Sequence, residues 1–186
     1  MTLVELARAV FTTAEDLEIP YMAVGALAAG VYGIPRATKD LDLLVSVDAA
    51  RGIKQLLDGL GELVEFDQQT LFDTITWGRR HVGVSRKAPP FKVELFEMFD
   101  DPFVESEFSR RVKKRVPILG LSITLPTAED VVVQKVRWGR VKDLEDVKDI
   151  LAVQTPAGLD MDYIRYWCGE HETTGRLEKI IGGLRG

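Results

Sequence analysis

The sequence predicts an α+β fold in which a mixed β-sheet is flanked by helices and followed by a C-terminal helical lobe. Up to about residue 125, short apolar strand patterns alternate with helical ones, whereas beyond Pro126 the apolar spacing is helical only. A chain of 186 residues that is 46% hydrophobic and 28% charged can also bury a sizeable core. We therefore expect two units, an α/β domain at residues 1–125 and a helical lobe at residues 126–186.

Helical and strand patterns alternate through the first sixty residues. Apolar residues at helical spacing between Leu3 and Phe11 predict an opening amphipathic helix, which Pro20 ends. Strand patterns follow at residues 21–24 and 39–47, and helical patterns follow at residues 26–32 and from the capping residue Asp48 to about residue 60. This alternation is typical of a sheet with helices packed on it.

The middle of the chain is predicted to be mainly strand and the end to be helix. Strand patterns lie at residues 63–66, 71–77, 81–85 and 91–98, with a late pair around Val116 and Ile123 and one helix near residues 103–113. Residues 127–130 then form a capping pattern with an acidic first turn, and helical spacing recurs at residues 131–138, 144–153, 161–167 and 177–184.

Composition excludes several classes of protein. The single cysteine, Cys168, excludes a disulfide framework and a cysteine-based zinc site, and we expect it to be a packing residue. No apolar run approaches the roughly 20 residues that cross a bilayer, so we expect a cytoplasmic protein with no membrane partner. A net charge of −5 argues against non-specific coating of nucleic acid. Basic clusters at residues 79–87 and 110–115 either contact a phosphate backbone or form a solvated face.

Two aspartates in the second strand pattern are the first candidate functional residues. Alternate residues of a strand share a face, so Asp40 and Asp42 point the same way about 6.6 Å apart. Like charges this close repel each other unless a cation lies between them, and Mg²⁺ or Mn²⁺ suits oxygen ligands of this kind. The alternative is an Asp-x-Asp pair on a solvated strand edge.

A third acidic residue and a glycine turn favour the metal site. Glu94 stands between apolar neighbours in another strand pattern, which can lie beside the first, so that three carboxylates converge on one cation. Upstream, Gly25 and Ala26 form a strand-to-helix turn, where amides at the start of a helix can bind a phosphate. Transfer of a nucleotidyl group needs both features, because metal ions neutralise the triphosphate and backbone amides hold the phosphates.

The order of these motifs resembles the polymerase-β-type nucleotidyltransferase superfamily, which has a glycine turn, an Asp-x-Asp strand and a lone acid on a later strand. The helical lobe resembles a narrower group, the abortive-infection, type IV toxin nucleotidyltransferases. Their lysine motif and Arg-x-Lys-Asp-x-x-Asp motif are matched by residues 131–135 and 140–146. The resemblance covers about residues 20–150 and implies a nucleotidyltransferase fold for the N-terminal domain.

The resemblance implies a role for each matched residue. Asp40, Asp42 and Glu94 hold the metal ions, and Glu94 is also a candidate base for the acceptor hydroxyl. Lys135 pairs with the triphosphate, and Asp143 supports the site from the lobe. The residues predicted to contact the nucleotide are Gly25, Ala26, Arg36, Thr38 and Lys135. Ala26 departs from the serine or glycine of the superfamily, so that only backbone amides remain at this turn.

Structural roles are the alternatives for several of these residues. Lys135 could be a helix-surface lysine, and Asp143 and Asp146 could form surface ion pairs worth under ~1 kcal/mol. Arg36 and Thr38 fit a turn and the start of a strand equally well.

The resemblance implies an enzyme that binds an NTP with Mg²⁺ or Mn²⁺ and transfers the NMP to a hydroxyl group. The expected acceptors are RNA, such as a tRNA 3′ end, or a partner protein, in a toxin–antitoxin or phage-defence setting with a cognate antitoxin or toxin partner. An aminoglycoside-type acceptor is a further option. The alternative from another class is a catalytically inactive binding module, an antitoxin or regulatory partner, which the loss of a hydroxyl at Ala26 favours.

Overall fold

The computed structural model describes residues 1–46, 52–72 and 78–184. The helices are α1 (Leu3–Asp16), α2 (Gly25–Tyr32), α3 (Gly52–Leu60), α4 (Pro102–Arg110), α5 (Ala128–Trp138), α6 (Val141–Gln154), α7 (Met161–Glu170) and α8 (Thr174–Gly183). The strands are β1 (Tyr21–Ala23), β2 (Asp40–Val45), β3 (Val64–Phe66), β4 (Leu71–Phe72), β5 (Arg79–Ser85), β6 (Lys92–Glu97), β7 (Val112–Val116) and β8 (Leu121–Leu125).

A mixed sheet lies at the centre of the fold and positions the candidate site. Its strand order is β1-β2-β6-β5-β3, with β4 paired to β5 at one end, and β7 and β8 form a separate hairpin. The pair β2 and β6 is parallel, whereas the other described pairs are antiparallel. This mixed sheet with flanking helices confirms the predicted α+β fold class.

The helices of the lobe begin where the capping pattern predicts. Thr127 and Asp130 form a reciprocal capping box, in which the Thr127 side chain accepts from the Asp130 amide and Asp130 accepts from the Thr127 amide. Beyond β8, the described secondary structure consists of helices, including one 3-10 turn. One hydrophobic core contains residues from both sides of position 125, such as Leu43 and Val132, and the division into two domains stays a prediction.

The predicted helix near residues 103–113 is wrong at its C-terminal end. Helix α4 ends at Arg110, and β7 begins two residues later at Val112. Val112 and Val116 lie an even number of residues apart and so share one face of a strand, and the whole of β7 pairs with β8. The predicted cap Asp48, the end of the strand at residue 47 and the strand at residues 73–77 lie outside the described residues.

Two further sequence expectations concern burial and membranes. Cys168 is fully buried in the core, as expected for a packing residue. Within the described ranges, every helix is too short or too polar to span a bilayer.

Polar contacts fasten the lobe to α4. The Tyr163 hydroxyl donates to Asp130 at 2.6 Å and lies 3.0 Å from the Ser106 hydroxyl. Arg137 donates to the Asp101 carboxylate at 2.7 Å. Because Asp130 is fully buried, the loss of the Tyr163 donor would remove a hydrogen bond that solvent cannot readily replace.

The Tyr163→Phe substitution tests this attachment. We expect it to lower the free energy of unfolding by about 1–3 kcal/mol, because it removes a hydrogen bond to a buried carboxylate. Denaturant unfolding measures the loss. Tyr166→Phe is the matched control, since Tyr166 is 59% exposed. Equal stability of the two variants would contradict the role given to Tyr163.

Candidate active site

The register of two parallel strands brings the predicted carboxylates onto one face of the sheet. Asp42 on β2 lies directly opposite Glu94 on β6, and Asp40 lies opposite Lys92. Neighbouring strands are about 4.8 Å apart, and residues two apart on a strand are about 6.6 Å apart on the same face. Asp40, Asp42 and Glu94 are therefore neighbours, as the sequence predicts, although their function stays a prediction.

The pKa of Asp42 reflects this crowding. It is raised from its ordinary value of 3.8 to about 7, mainly by burial and then by the charges of Glu94 and Asp40, against a smaller opposing effect of Lys135 and Lys142. An aspartate that is still half protonated at neutral pH lacks a cation of its own. The site therefore concentrates three carboxylates on one face of the sheet, and the nearby lysines do not return the pKa of Asp42 to its ordinary value.

The turn before α2 leads directly to this carboxylate. Gly25 has a φ of +65°, and a Cβ atom placed on it would lie 1.9 Å from Asp42 Oδ2, so no other residue fits here without a shift. Val24, the residue before α2, makes no side-chain capping hydrogen bond, and its amide donates to the Asp42 carbonyl. The first amides of α2, at Gly25 and Ala26, thus begin beside the carboxylates and lack a side-chain cap. Ala26 itself is buried.

Lys135 and two aspartates form a buried cluster on the opposite wall. Lys135 is 3% exposed, and its Nζ lies 3.0 Å from Asp143 Oδ1 and 2.8 Å from Asp146 Oδ2. Asp143 and Asp146 are themselves 0% and 4% exposed. The alternatives of a helix-surface lysine and of surface ion pairs are therefore wrong. The reason is that α5 is covered by α6 and α7 on this side.

Two arginines complete the cluster. Arg36 donates to both Asp146 oxygens at 2.8 and 3.2 Å, and Arg140 donates to both Asp143 oxygens at 2.6 and 3.2 Å. These bonds hold the pKa values of both aspartates below their ordinary range, although burial acts the other way. Three cations against two carboxylates leave this cluster with a positive charge that faces Asp42.

A cleft of about 230 Å³ lies between an acidic wall, which includes Asp40 and Asp42, and a basic wall, which includes Arg36, Lys135 and Arg140. Its lining includes Gly25, Ala26, Arg36, Thr38, Lys39, Asp40, Asp42, Lys135, Trp138, Arg140 and Lys142. Thr38 also holds the start of β2, because its hydroxyl accepts from the Asp40 amide at 3.1 Å. The cleft therefore brings together every residue predicted to bind the nucleotide, whereas Asp143 lies behind Lys135 and Glu94 lies outside the lining.

The donor set fits a hard divalent cation. In the described part of the chain, no three His, Cys, Asp or Glu side chains already converge as a metal site. Glu94 instead lies 3.4 Å from an Arg80 nitrogen, a pairing that sequence reasoning missed. However, three carboxylates on one sheet face, one of them with a raised pKa, supply the oxygen ligands and the negative charge that Mg²⁺ prefers.

Some side chains of the basic clusters predicted from the sequence form ion pairs with acidic residues of the same chain. Arg110 pairs with Asp130 and Glu129, and Lys113 lies 3.1 Å from Glu15.

Sequence reasoning also missed Trp138, which lies at the end of α5 and lines the cleft. Its position three residues after Lys135 on a helix is the one signal that could have indicated it.

Solved structures share this fold at low sequence identity. An antigenic nucleotidyltransferase-like protein from Paracoccidioides brasiliensis has a TM-score of 0.60 at 17% identity, with 97% of this chain and 92% of that chain covered. The enzyme ANT(2'')-Ia in complex with adenylyl-2"-tobramycin has a TM-score of 0.63 at 10% identity, with 92% of this chain and 98% of that chain covered. The Helicobacter pylori protein JHP933 has a TM-score of 0.54 at 16% identity, with 86% and 68% covered.

A family model gives the more direct assignment. Among proteins with curated descriptions, none matches this sequence significantly. The family described as "Nucleotidyltransferase of unknown function (DUF6036)" matches residues 1–176, which is almost the whole chain. The chain therefore belongs to this nucleotidyltransferase family, in agreement with the superfamily that its motifs resemble.

Proposed function

We propose that the protein is a metal-dependent nucleotidyltransferase that transfers the NMP of an NTP to a hydroxyl group. The observation that carries this proposal is the register of β2 and β6, which sets Asp42 against Glu94 directly below the glycine turn. Membership of a nucleotidyltransferase family supports it. In the transfer, the acceptor oxygen bonds to the α-phosphorus, the bond to the β-phosphate oxygen breaks, and pyrophosphate leaves.

The carboxylates would hold Mg²⁺ or Mn²⁺. Asp40, Asp42 and Glu94 are the ligands, and the metal supplies charge neutralisation at the phosphates and a more acidic acceptor hydroxyl. Glu94 would accept the proton of that hydroxyl, and Arg80, whose nitrogen lies 3.4 Å from Glu94, would hold this side chain in position. The raised pKa of Asp42 falls back once a cation is bound, because the cation favours the charged form.

The opposite wall binds the triphosphate. Lys135, Arg36 and Arg140 present their positive charge to the cleft, and the uncapped amides of Gly25 and Ala26 donate to phosphate oxygens. Asp143 acts through Lys135 and Arg140, which it holds in position, and does not need to contact the nucleotide. The hydroxyl that Ala26 lacks is thus replaced by backbone amides.

The acceptor and the setting rest on resemblance. The motifs of the lobe favour the abortive-infection, type IV toxin group, and hence an RNA 3′ end or a protein hydroxyl in a cytoplasmic toxin–antitoxin or phage-defence context. The fold neighbour ANT(2'')-Ia, solved with adenylyl-2"-tobramycin, supports the class of small hydroxylated acceptors as the second option.

Four α-labelled NTPs test the function directly. The protein is incubated with each NTP, Mg²⁺ and either total cellular RNA, cell protein or a panel of aminoglycosides. We expect label to enter one of these acceptors together with pyrophosphate release, and the Asp42→Asn variant to lose the transfer. A protein that binds neither NTP nor metal, and transfers nothing, would instead be the inactive binding module.

The raised pKa of Asp42 predicts a pH-dependent stability without metal. The folded chain retains the Asp42 proton up to pH about 7 and the unfolded chain only up to about 4, so this contribution to stability is present at low pH and lost as pH rises through 7. Asp42→Asn should therefore be more stable than wild type at pH 8, by up to about 4 kcal/mol, and not at pH 4. Denaturant unfolding at both pH values measures this, with exposed Asp58→Asn as control.

Divalent cations should reduce that difference. At pH 8, Mg²⁺ in tenfold excess over its Kd should raise the Tm of the wild type by roughly 3–5 °C and leave Asp42→Asn unchanged. Differential scanning calorimetry gives the shift. The same rise in both proteins would show that Mg²⁺ binds elsewhere.

The glycine turn predicts a further pair of variants. Gly25→Ala should lower the free energy of unfolding by about 1–3 kcal/mol and abolish NTP binding, because the new methyl group meets Asp42 at a positive φ. Gly169→Ala is the control, since its Cβ would meet nothing within 4 Å in α7 and should be neutral or stabilise by up to ~1 kcal/mol. Calorimetry and equilibrium dialysis with labelled NTP test both, and normal binding by Gly25→Ala would refute the phosphate role of the turn.

A further inference from the structure

A second cavity, the side groove, adjoins the cleft and measures about 690 Å³. It is lined by residues of α1, of α2 and of the turn that joins β7 to β8. Ala26, Arg36, Thr38 and Asp40 line both the cleft and the side groove. Because Asp40 lines both, a molecule bound in the side groove can bring a hydroxyl group up to the carboxylates.

The walls of the side groove are mainly aliphatic. Leu3 and Val4 lie on α1, Leu27 and Val31 lie on α2, and Ile118 lies on the turn before β8. Ile118 is 70% exposed. Among the described residues that line the side groove, none is aromatic. An exposed apolar patch beside a cavity is typical of a surface that a partner covers.

Two cations at the side groove lack an acidic partner. Lys114 and Arg115 line it and are exposed, and in the part of the chain that the structure describes neither forms an ion pair. Lys114 lies over the Tyr32 ring, whereas the neighbouring Lys113 pairs with Glu15. The basic cluster predicted at residues 110–115 therefore leaves positive charge at this groove, which is complementary to an acidic ligand.

We propose that the side groove binds the acceptor, and that the acceptor is a protein segment in which aliphatic and acidic residues flank a hydroxyl-bearing side chain. The proposal rests on the proposed function and names the acceptor class of the same site. The oxygen of a serine, threonine or tyrosine bonds to the α-phosphorus, pyrophosphate leaves, and the hydroxyl proton passes to Glu94.

The chemistry of the lining favours a protein over the other two acceptor classes. Aliphatic side chains of a bound segment lose water against Leu27, Val31 and Ile118, and its carboxylates pair with the two cations. A single-stranded RNA end is commonly held by bases stacked on aromatic rings, which the described lining does not offer. An aminoglycoside carries several ammonium groups, and Asp40 is the only acid among the described lining residues.

Three pools of short peptides test the acceptor class. Each peptide has one central serine, threonine or tyrosine. The flanking residues are leucine, isoleucine, aspartate and glutamate in the first pool. Lysine and arginine replace the acids in the second pool, and glycine and asparagine replace the aliphatic residues in the third. The protein is incubated with α-labelled NTPs, Mg²⁺ and each pool, or with a synthetic RNA or tobramycin. We expect label to enter the first pool at least tenfold faster than any other acceptor.

Variants of the side groove assign this preference to its residues. Ile118→Ser removes aliphatic surface and Arg115→Glu reverses a charge, so each should slow labelling of the first pool at least fivefold. Neither residue lines the cleft, so the Kd for NTP should not change. The controls are Val153→Ser on α6, which is 52% exposed, and Lys179→Glu on exposed α8 surface, and both should label the pool as the wild type does.

The outcomes separate this inference from the proposed function. Equal labelling of the three pools, or faster labelling of the RNA or of tobramycin, would overturn the acceptor class and leave the proposed function intact. Labelling of the first pool that survives both Ile118→Ser and Arg115→Glu would also overturn it, as would binding of NTP and Mg²⁺ without label on any of these acceptors. Failure to bind NTP or Mg²⁺ would refute the proposed function as well.

Discussion

The crowding of three carboxylates on one face of the sheet is the constraint on which the candidate site depends. Parallel pairing of β2 and β6 places Asp42 opposite Glu94. Asp40 lies on the same face because it is two residues from Asp42 on the same strand. Burial and this crowding both disfavour the charged form of Asp42 and raise its pKa, so the arrangement costs folding free energy. The turn at Gly25 adds to it, because only a residue without a side chain leaves room for the Asp42 carboxylate.

The helical lobe supplies the opposite charge, and a buried network fixes where that charge lies. Lys135 is held by Asp143 and Asp146, and Arg36 crosses from the segment before β2 to reach Asp146. A buried ion pair contributes little net stability, since desolvation offsets the attraction, but breaking one leaves an isolated charge at high cost. The network therefore orients the cations toward the cleft more than it stabilises the fold.

Much of the acidic wall was predictable from local sequence, whereas the basic wall was not. Period-two alternation placed Asp40 and Asp42 on one face, and an acid between apolar residues indicated Glu94. The burial of Lys135 depends on how α6 and α7 cover α5, which no local pattern reports, so a surface role was an open alternative. The pairing of Arg80 with Glu94, and the raised pKa of the buried Glu107, likewise depend on contacts between separate elements. The predicted end of α4 was wrong because residues 111–113 suit both a helix and a strand.

Binding of Mn²⁺, followed by electron paramagnetic resonance, tests most directly whether the three carboxylates share divalent ions. The wild type at pH 8 should remove Mn²⁺ from the free pool in a saturable manner, and Glu94→Gln should weaken that binding at least tenfold. Equal binding by both proteins, or no binding by the wild type, would contradict the account.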